Sequence, residues 1–317
     1  MTRLAARGLI AVTLAVVSIH AQDPITPIAP AAAATLTIPG YVDFLAADGA
    51  AVWATNRGRV EKLALGEAAP IASVTVPSPC GAMTVAFGSL WVANCRDRSL
   101  SRIDLSSTPA VVATIATGLA DRRGELSVAA GAGSVWILSD QAGVLSRIDP
   151  SSNQVVATIA VKPDSFAAVF GFGSVWITNT GAPKSTEPGS VQRIDPATNK
   201  VVATIPVGPV PRFLAAGEGG VWTLNQGDGS VSRIDPVSNA VVATIAAEVP
   251  GGGGDIAAGA GRVWVRASRV LLSAIDPATN RVTERYGPPA GSGAVRVAGN
   301  LVWITAHDVQ TVWVLKR

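Results

Sequence analysis

The chain has little of what most enzyme chemistry needs. Its 317 residues include two cysteines and two histidines, and only 15% of them are charged. One histidine, His20, falls in an N-terminal apolar segment, which leaves His307 alone for acid–base work in the rest of the chain. His307 is read first as a surface-loop histidine. No Ser-His-Asp arrangement is signalled by spacing. The glycine run Gly251–Gly254 leads into a strand rather than a helix, so it offers no helix N-terminus to a phosphate. No catalytic residue, no metal site and no cofactor is therefore expected.

Long apolar runs are also scarce. The run Leu9–Ile19 has 11 residues, well short of the roughly 20 needed to span a bilayer. Arg3 and Arg7 precede it, and Ile19-His20-Ala21 offers a small residue at a cleavage point, so residues 1–21 read as a secretory signal peptide. No Cys lies near residue 21 to carry a lipid. No membrane span is expected once that segment is removed, and a secreted or periplasmic location follows.

A basic excess is missing too. The chain has 25 Lys and Arg against 22 Asp and Glu, and residues 1–21 contain two of the Arg and none of the acids. That leaves 23 against 22, a balance that gives no support to nucleic-acid binding, which needs a basic footprint.

What the chain does have is repetition. Residues 219–245 read GGVWTLNQGDGSVSRIDPVSNAVVATI: three short runs rich in Val, Ile and Thr, bounded by Gly, Asp, Asn and Pro. That pattern marks strands joined by tight turns. An aliphatic-Trp pair recurs at Trp53, Trp91, Trp136, Trp176, Trp222, Trp264 and Trp303, with gaps of 38, 45, 40, 46, 42 and 39 residues. Ile-Asp closes the second run at Asp104, Asp149, Asp195, Asp235 and Asp276, and VVATI returns at 111–115, 155–159, 201–205 and 241–245. A period of about 40–45 residues with several strands in each is that of a propeller blade. A further inner strand of small apolar residues precedes each Trp run, as at Phe213–Ala216, Ile256–Ala258 and Val295–Ala298. The fold class is all-β: a seven-bladed β-propeller of four-stranded antiparallel blades over residues 34–317. The 32 Gly and 21 Pro suit its many turns.

The ends of the repeat complement each other. Ala34–Ile38 matches a third run with no blade before it, and Gln310–Lys316 matches a second run with no third after it. Thr35–Ile38 is therefore expected to supply the outer strand of the seventh blade, so that the N-terminal strand closes the ring and removes two sheet edges. Trp313 is then a second-run residue rather than an eighth blade marker. Residues 22–33, rich in Pro and Ala, read as a flexible lead-in. The repeated DP-x-[ST]-N segments, such as Asp149–Asn153, read as local turns: Asp caps backbone two residues on, and Asn tolerates the left-handed region.

Cys80 and Cys95 flank a hairpin expected to turn at Phe87-Gly88, and equal spacing from that turn puts them opposite each other. In an exported chain they are expected to form a disulfide, worth roughly 3 kcal/mol by loop closure.

The segment VWITN…GSVQRIDPATNKVVATIPVG over residues 175–208 resembles the YVTN-type propeller repeat and is similar to the repeat of the virginiamycin B (streptogramin) lyase-like propellers. The likeness covers residues 34–317. It implies the propeller fold and frequent export. The lyases place a His ahead of the inner strand in two adjacent blades, with a Glu nearby, around a magnesium ion. The matching segments here, Pro211-Arg212-Phe213-Leu214 and Gly253-Gly254-Asp255-Ile256, contain no His, and Glu248 lies too far upstream. The base and metal that lactone ring opening requires have no candidates here.

A binding face remains. Loops entering the inner strands and leaving the Trp strands share one face of the disc. They carry Arg57, Arg96, Arg98, Arg122, Arg123, Arg212, Arg266 and Arg269, with Tyr41, Phe166 and Phe213 among the aromatics and His307 after the seventh Trp strand. The ligand-binding set is taken as Arg57, Arg96, Arg122, Arg123, Phe166, Arg212, Arg266 and His307. Arg forks suit a small anionic or carboxylate-bearing ligand, or an acidic protein segment. The alternative is a solvated face whose Arg pair with Asp97, Asp121, Glu125 and Asp255. A monomeric binding scaffold is the expected function, and a lyase- or lactonase-like enzyme the alternative.

Overall fold

The structure is a computed structural model that describes residues 24–118, 125–139, 143–181, 186–249 and 251–317. The expected signal segment and Arg122 and Arg123 lie outside the described residues. Seven sheets follow one another along the chain, each antiparallel in its four blade strands. The fifth, built from the phrase first singled out in the sequence, shows the plan. Pro211–Gly217 lies innermost, followed outward by Gly220–Asn225, Ser230–Asp235 and Ala240–Ala246.

Burial explains the residue pattern of each strand. The Trp strands Ser89–Asn94, Ser174–Asn179, Gly220–Asn225 and Leu301–Ala306 are buried at every position, because a neighbouring blade covers each of their faces. Strands buried on both faces read as continuous apolar runs rather than alternating ones. The outer strands do alternate. In Ala240–Ala246 only Ile245 is buried, and Val242 is 55% exposed. All seven blade tryptophans are completely buried, filling the wedges between blades.

The ring closes through the N-terminal strand. Ala34–Thr37 pairs antiparallel with Thr311–Lys316, with Ala34 opposite Val314 and Leu36 opposite Val312. The expected outer strand of the seventh blade is thus present, one residue nearer the N-terminus than the expected Thr35–Ile38. Trp313 lies opposite Thr35, in the second-run position.

Part of the lead-in has regular structure. Thr26-Pro27 runs parallel to Tyr286-Gly287 as a fifth strand on the sixth blade, and Ile28 opens a single helical turn, Ile28–Ala31. Ile28 is 1% exposed and packs with Leu271, Leu272 and Leu315. One apolar anchor within Pro- and Ala-rich sequence fixes the segment, and composition alone hides such an anchor.

The DP-x-[ST]-N turns are local, as expected, and also do something the sequence does not announce. Within the turn, Asp195 Oδ1 accepts a hydrogen bond from Ala197 N at 3.0 Å, and Asn199 adopts φ 55°. Each turn also receives an arginine from the preceding blade. Arg193 lies 5.0 Å from the Trp176 ring centroid and donates to Pro236 O at 2.7 Å and Asn239 Oδ1 at 2.9 Å. Arg102, Arg147 and Arg233 repeat the arrangement over Trp91, Trp136 and Trp222. They reach the turns at Asn153, Asn199 and Asn280 respectively. The sixth blade has Ala274 opposite its Trp264, and there Arg317 covers the ring from 5.1 Å.

Cys80 and Cys95 form the expected disulfide, with Cα atoms 5.9 Å apart. The register argument for it was too simple. Thr84–Ala86 pairs with Ser89–Asn94 so that Thr84 faces Trp91, but beyond Gly81 the pairing slips by two residues and Pro79 faces Asn94. Cys80 N therefore donates to Ala93 O, and the disulfide joins residues offset along the ladder. Gly81 allows the slip: at φ 73°, a Cβ there would overlap Leu126 O.

Candidate functional site at the channel mouth

Each blade sends two connections to the same end of the disc, the one after its Trp strand and the one into the next inner strand. On that face, where blades one, two and three meet, an open cavity of about 880 Å³ is bounded by Tyr41, Asp43, Arg57, the disulfide, Arg96 and Glu125. A second cavity of about 380 Å³ shares Asp43 and Glu125 with the first and extends to Arg212, Gln226 and Ser292.

The first wall is positioned by a buried amide. Asn56, at the end of the first Trp strand, accepts hydrogen bonds at Oδ1 from Tyr41 N at 2.6 Å and Arg57 N at 2.8 Å. Its Nδ2 donates to Pro39 O at 3.0 Å and Glu61 Oε2 at 2.7 Å. Gly40 passes over this amide at φ 118°, where a Cβ would fall on Asn56 Oδ1. Only glycine permits that approach. The loop held in this way delivers Tyr41, whose ring stacks on the His307 imidazole at 4.1 Å with its hydroxyl 3.1 Å from Nε2. Burial lowers the His307 pKa, and Arg266 adds to the effect against Asp308.

Asp43 and Glu125 line both cavities, and Asp255 lies near enough to act on the titration of each. Asp43 has its pKa raised to about 7, chiefly by burial and further by Glu125 and Asp255, against the pull of Arg266. Among the described residues its carboxylate receives no hydrogen bond. Burial also raises the pKa of Glu125, opposed by Arg212, and Glu125 Oε2 is buried with no hydrogen-bond partner. Asp255 is different, because its oxygens are occupied. They accept from Ile256 N at 2.8 Å and Val295 N at 3.2 Å and lie 3.4 Å from Arg296 Nη2.

The sequence-derived residues fall into separate groups. Arg57 and Arg96 are exposed, line the larger cavity, and have no side-chain partner among the described residues. Arg212 stands 3.9 Å from the centroid of Phe166, which meets Phe213 edge-on at 5.3 Å, so Phe166 acts as a platform for that arginine. Arg266 does not face a ligand. It is 0% exposed, and its guanidinium donates to Thr305 O at 3.0 Å, to Gly291 O at 2.6 Å and to Ala267 O. Burial lowers its pKa to about 10, so it stays charged at neutral pH and ties the sixth blade to the seventh. Of the acids named as possible Arg partners, Asp255 pairs with Arg296 instead.

Sequence reasoning did not single out Tyr41 with His307 as a pair, nor Asp43 at all, and it treated Glu125 only as a counter-charge. A positional signal was present. Asp43, Glu125 and Asp255 all come two to four residues before the inner-strand alanine that faces the blade's tryptophan: Ala46, Ala129 and Ala257.

No protein-family profile matches the chain, and no curated protein matches its sequence. Solved structures do match it in shape. A streptogramin B lyase superposes with TM-score 0.71 at 13% identity, covering 89% of this chain and 95% of the lyase. Virginiamycin B lyase from Staphylococcus aureus gives 0.70 at 14% identity over 90% of this chain and 98% of the other. BamB from Moraxella catarrhalis gives 0.61 at 14%, over 88% and 84%. The likeness is one of fold. The magnesium implied by the lyase-like repeat does not suit the residues present: among the described residues no three His, Cys, Asp or Glu are grouped to hold an ion, and the Asp255 oxygens are already taken.

Proposed function

We propose that this chain is a binding propeller of an oxidising compartment outside the cytoplasm, which captures a small ligand or protein segment carrying an anionic group on its channel-mouth face. The observation that carries this reading is the pairing of an 880 Å³ cavity with two exposed arginines on its wall, Arg57 and Arg96, whose side chains have no partner among the described residues. Ligand sites are typically concave pockets of about 300–1,000 Å³ with a few placed polar groups. The Cys80–Cys95 disulfide in the same wall supports the compartment, since such bonds persist where thiols are oxidised. No helix among the described residues is long and apolar enough to cross a membrane. Charge reversal tests the reading. Arg57→Glu with Arg96→Glu should weaken carboxylate binding at least about tenfold by calorimetry, the loss of one charge-assisted contact. Unchanged affinity would remove the proposal.

A lyase- or lactonase-like enzyme is the second reading, and Asp43 favours it. A carboxyl titrating near 7 at a cavity wall is poised as a general base. Turnover of ester or lactone substrates should then rise through about pH 7 and vanish in Asp43→Asn; the same turnover in that variant would discard Asp43 as the base.

A further inference from the structure

The larger cavity carries charge of both signs, and the two signs stand at opposite ends. Arg57 and Arg96 are on loops that leave the Trp strands of the first and second blades, at the rim. Asp43 and Glu125 lead into inner strands, at the hub. Tyr41, which lines the same cavity, feels both signs: burial, Asp43, Glu125 and Asp308 raise its hydroxyl titration, and Arg57 lowers it.

The acidic end is incomplete as it stands. A buried acceptor left without a donor keeps its full desolvation penalty, and Glu125 Oε2 is such an acceptor. Asp43, beside it, receives no hydrogen bond among the described residues, whereas the third carboxylate, Asp255, is fully satisfied by its own surroundings. The two unsatisfied carboxylates are the two that line the cavity. Arg212 and Arg266 act on these carboxylates through their charge without bonding them, so a cationic ligand that brought N–H donors to that end would supply the hydrogen bonds that are missing.

Building on the anion reading above, we infer that the cavity takes a zwitterion: a small molecule or short peptide whose ammonium is received by Asp43 and Glu125 while its carboxylate is held by Arg57 and Arg96. Tyr41, stacked on His307, adds an aromatic ring to the wall of the same cavity. Neither a dicarboxylate nor a polyamine matches both ends of the cavity, and each would place one like-charged group against its wall.

Four forms of one tripeptide, Ala-Ala-Ala, separate the two halves of this argument: free, N-acetylated, C-amidated and blocked at both ends. By calorimetry the free peptide should bind, and each single block should weaken it at least about tenfold, the loss of one charge-assisted contact. Equal binding of the free and N-acetylated forms would overturn the ammonium site and leave the anion reading standing. Equal binding of the free and amidated forms would overturn the anion reading and leave the ammonium site. No binding of the free peptide at millimolar concentration would overturn both. The isosteric double variant Asp43→Asn, Glu125→Gln should bind the free and acetylated peptides alike, with its folding checked by circular dichroism. A preference for the free amine retained in that folded variant would also sink the inference.

Discussion

The two faces of the disc are built on opposite principles. On the face of the DP-x-[ST]-N turns, one device recurs: an arginine lies over its own blade's tryptophan and reaches the next blade's asparagine, at Arg102, Arg147, Arg193 and Arg233. At the channel mouth a buried asparagine ends the Trp strand at Asn56, Asn94, Asn179 and Asn225, but the contacts that shape the cavity are single events: the Asn56 clamp on Pro39 and Tyr41, the Arg266 clasp on blade seven, the offset disulfide. Those four arginines are bonded on the repeating face, while the mouth leaves Glu125 Oε2 bare and Asp43 with a raised pKa. The bare oxygen and the raised pKa belong to two residues that line the cavity, where departures from local consistency are expected of a functional site.

The strongest way to break this contrast is to remove a part of the repeating device. Trp222 is fully buried, donates from Nε1 to Gly217 O at 2.9 Å and carries the Arg233 guanidinium at 4.8 Å. Trp222→Ala should cost about 3–5 kcal/mol for the lost volume, measured by urea unfolding. Arg233→Met, which keeps the tryptophan ring and removes the hydrogen bonds to Pro277, Asn280 and Gly219, should cost about 1–3 kcal/mol for the lost charged hydrogen bonds. Equal costs for the two variants would mean that the arginine, rather than the tryptophan, holds the wedge.

The same contrast explains what could be read in advance. The blade count, the strand runs and the ring closure rest on residues that return every turn of the ring, so periodicity exposes them. The Arg-to-Asn bridges also repeat, yet each joins residues 43 to 52 positions apart. Short-range turn chemistry accounts for the Asn without hinting at its distant partner. At the mouth, Arg266 looked like an available cation, because sequence shows a charge but not that three carbonyls already receive it. Asp43 passed unnoticed because its significance lies in what surrounds it after folding. Ile28 was lost among prolines and alanines for the same reason.

The mouth's covalent tie offers a narrower test. Cys80 and Cys95 are 15 residues apart, and opening a loop of that size should cost about 3 kcal/mol in the chain-entropy view. In the double variant Cys80→Ser, Cys95→Ser, hydrogen exchange should accelerate over residues 79–96 and stay slow at the turns around Asn199 and Asn239. Acceleration spread equally over both faces would show that the mouth is not held separately from the ring.

The smallest effect, and the one most specific to the mouth, belongs to Asp43. Its carboxyl has a folded-state pKa near 7, against an ordinary value of 3.8. The folded chain therefore binds a proton more tightly than the unfolded chain does, so stability is greatest below the ordinary value and falls as pH rises towards 7. Glu125 and Asp255, both raised by burial, act in the same direction, while Arg266, charged throughout this range, opposes the shifts of Asp43 and Asp255, and Arg212 opposes that of Glu125. Cavity water screens part of the effect, so a loss of about 1–3 kcal/mol between pH 4 and pH 8 is expected of the native chain. Asp43→Asn keeps the shape and removes the proton, so it should flatten that slope and leave the variant more stable than the native chain at pH 8. The turn carboxyls Asp149, Asp195 and Asp235 provide the reference at the other face. Backbone hydrogen bonds lower their pKa values, so their contribution is lost as pH falls, the opposite sign. A native stability that rises from pH 4 to pH 8 would mean that the ordered turns outweigh the crowded carboxylates, and the mouth would then hold no stored strain for a ligand to relieve.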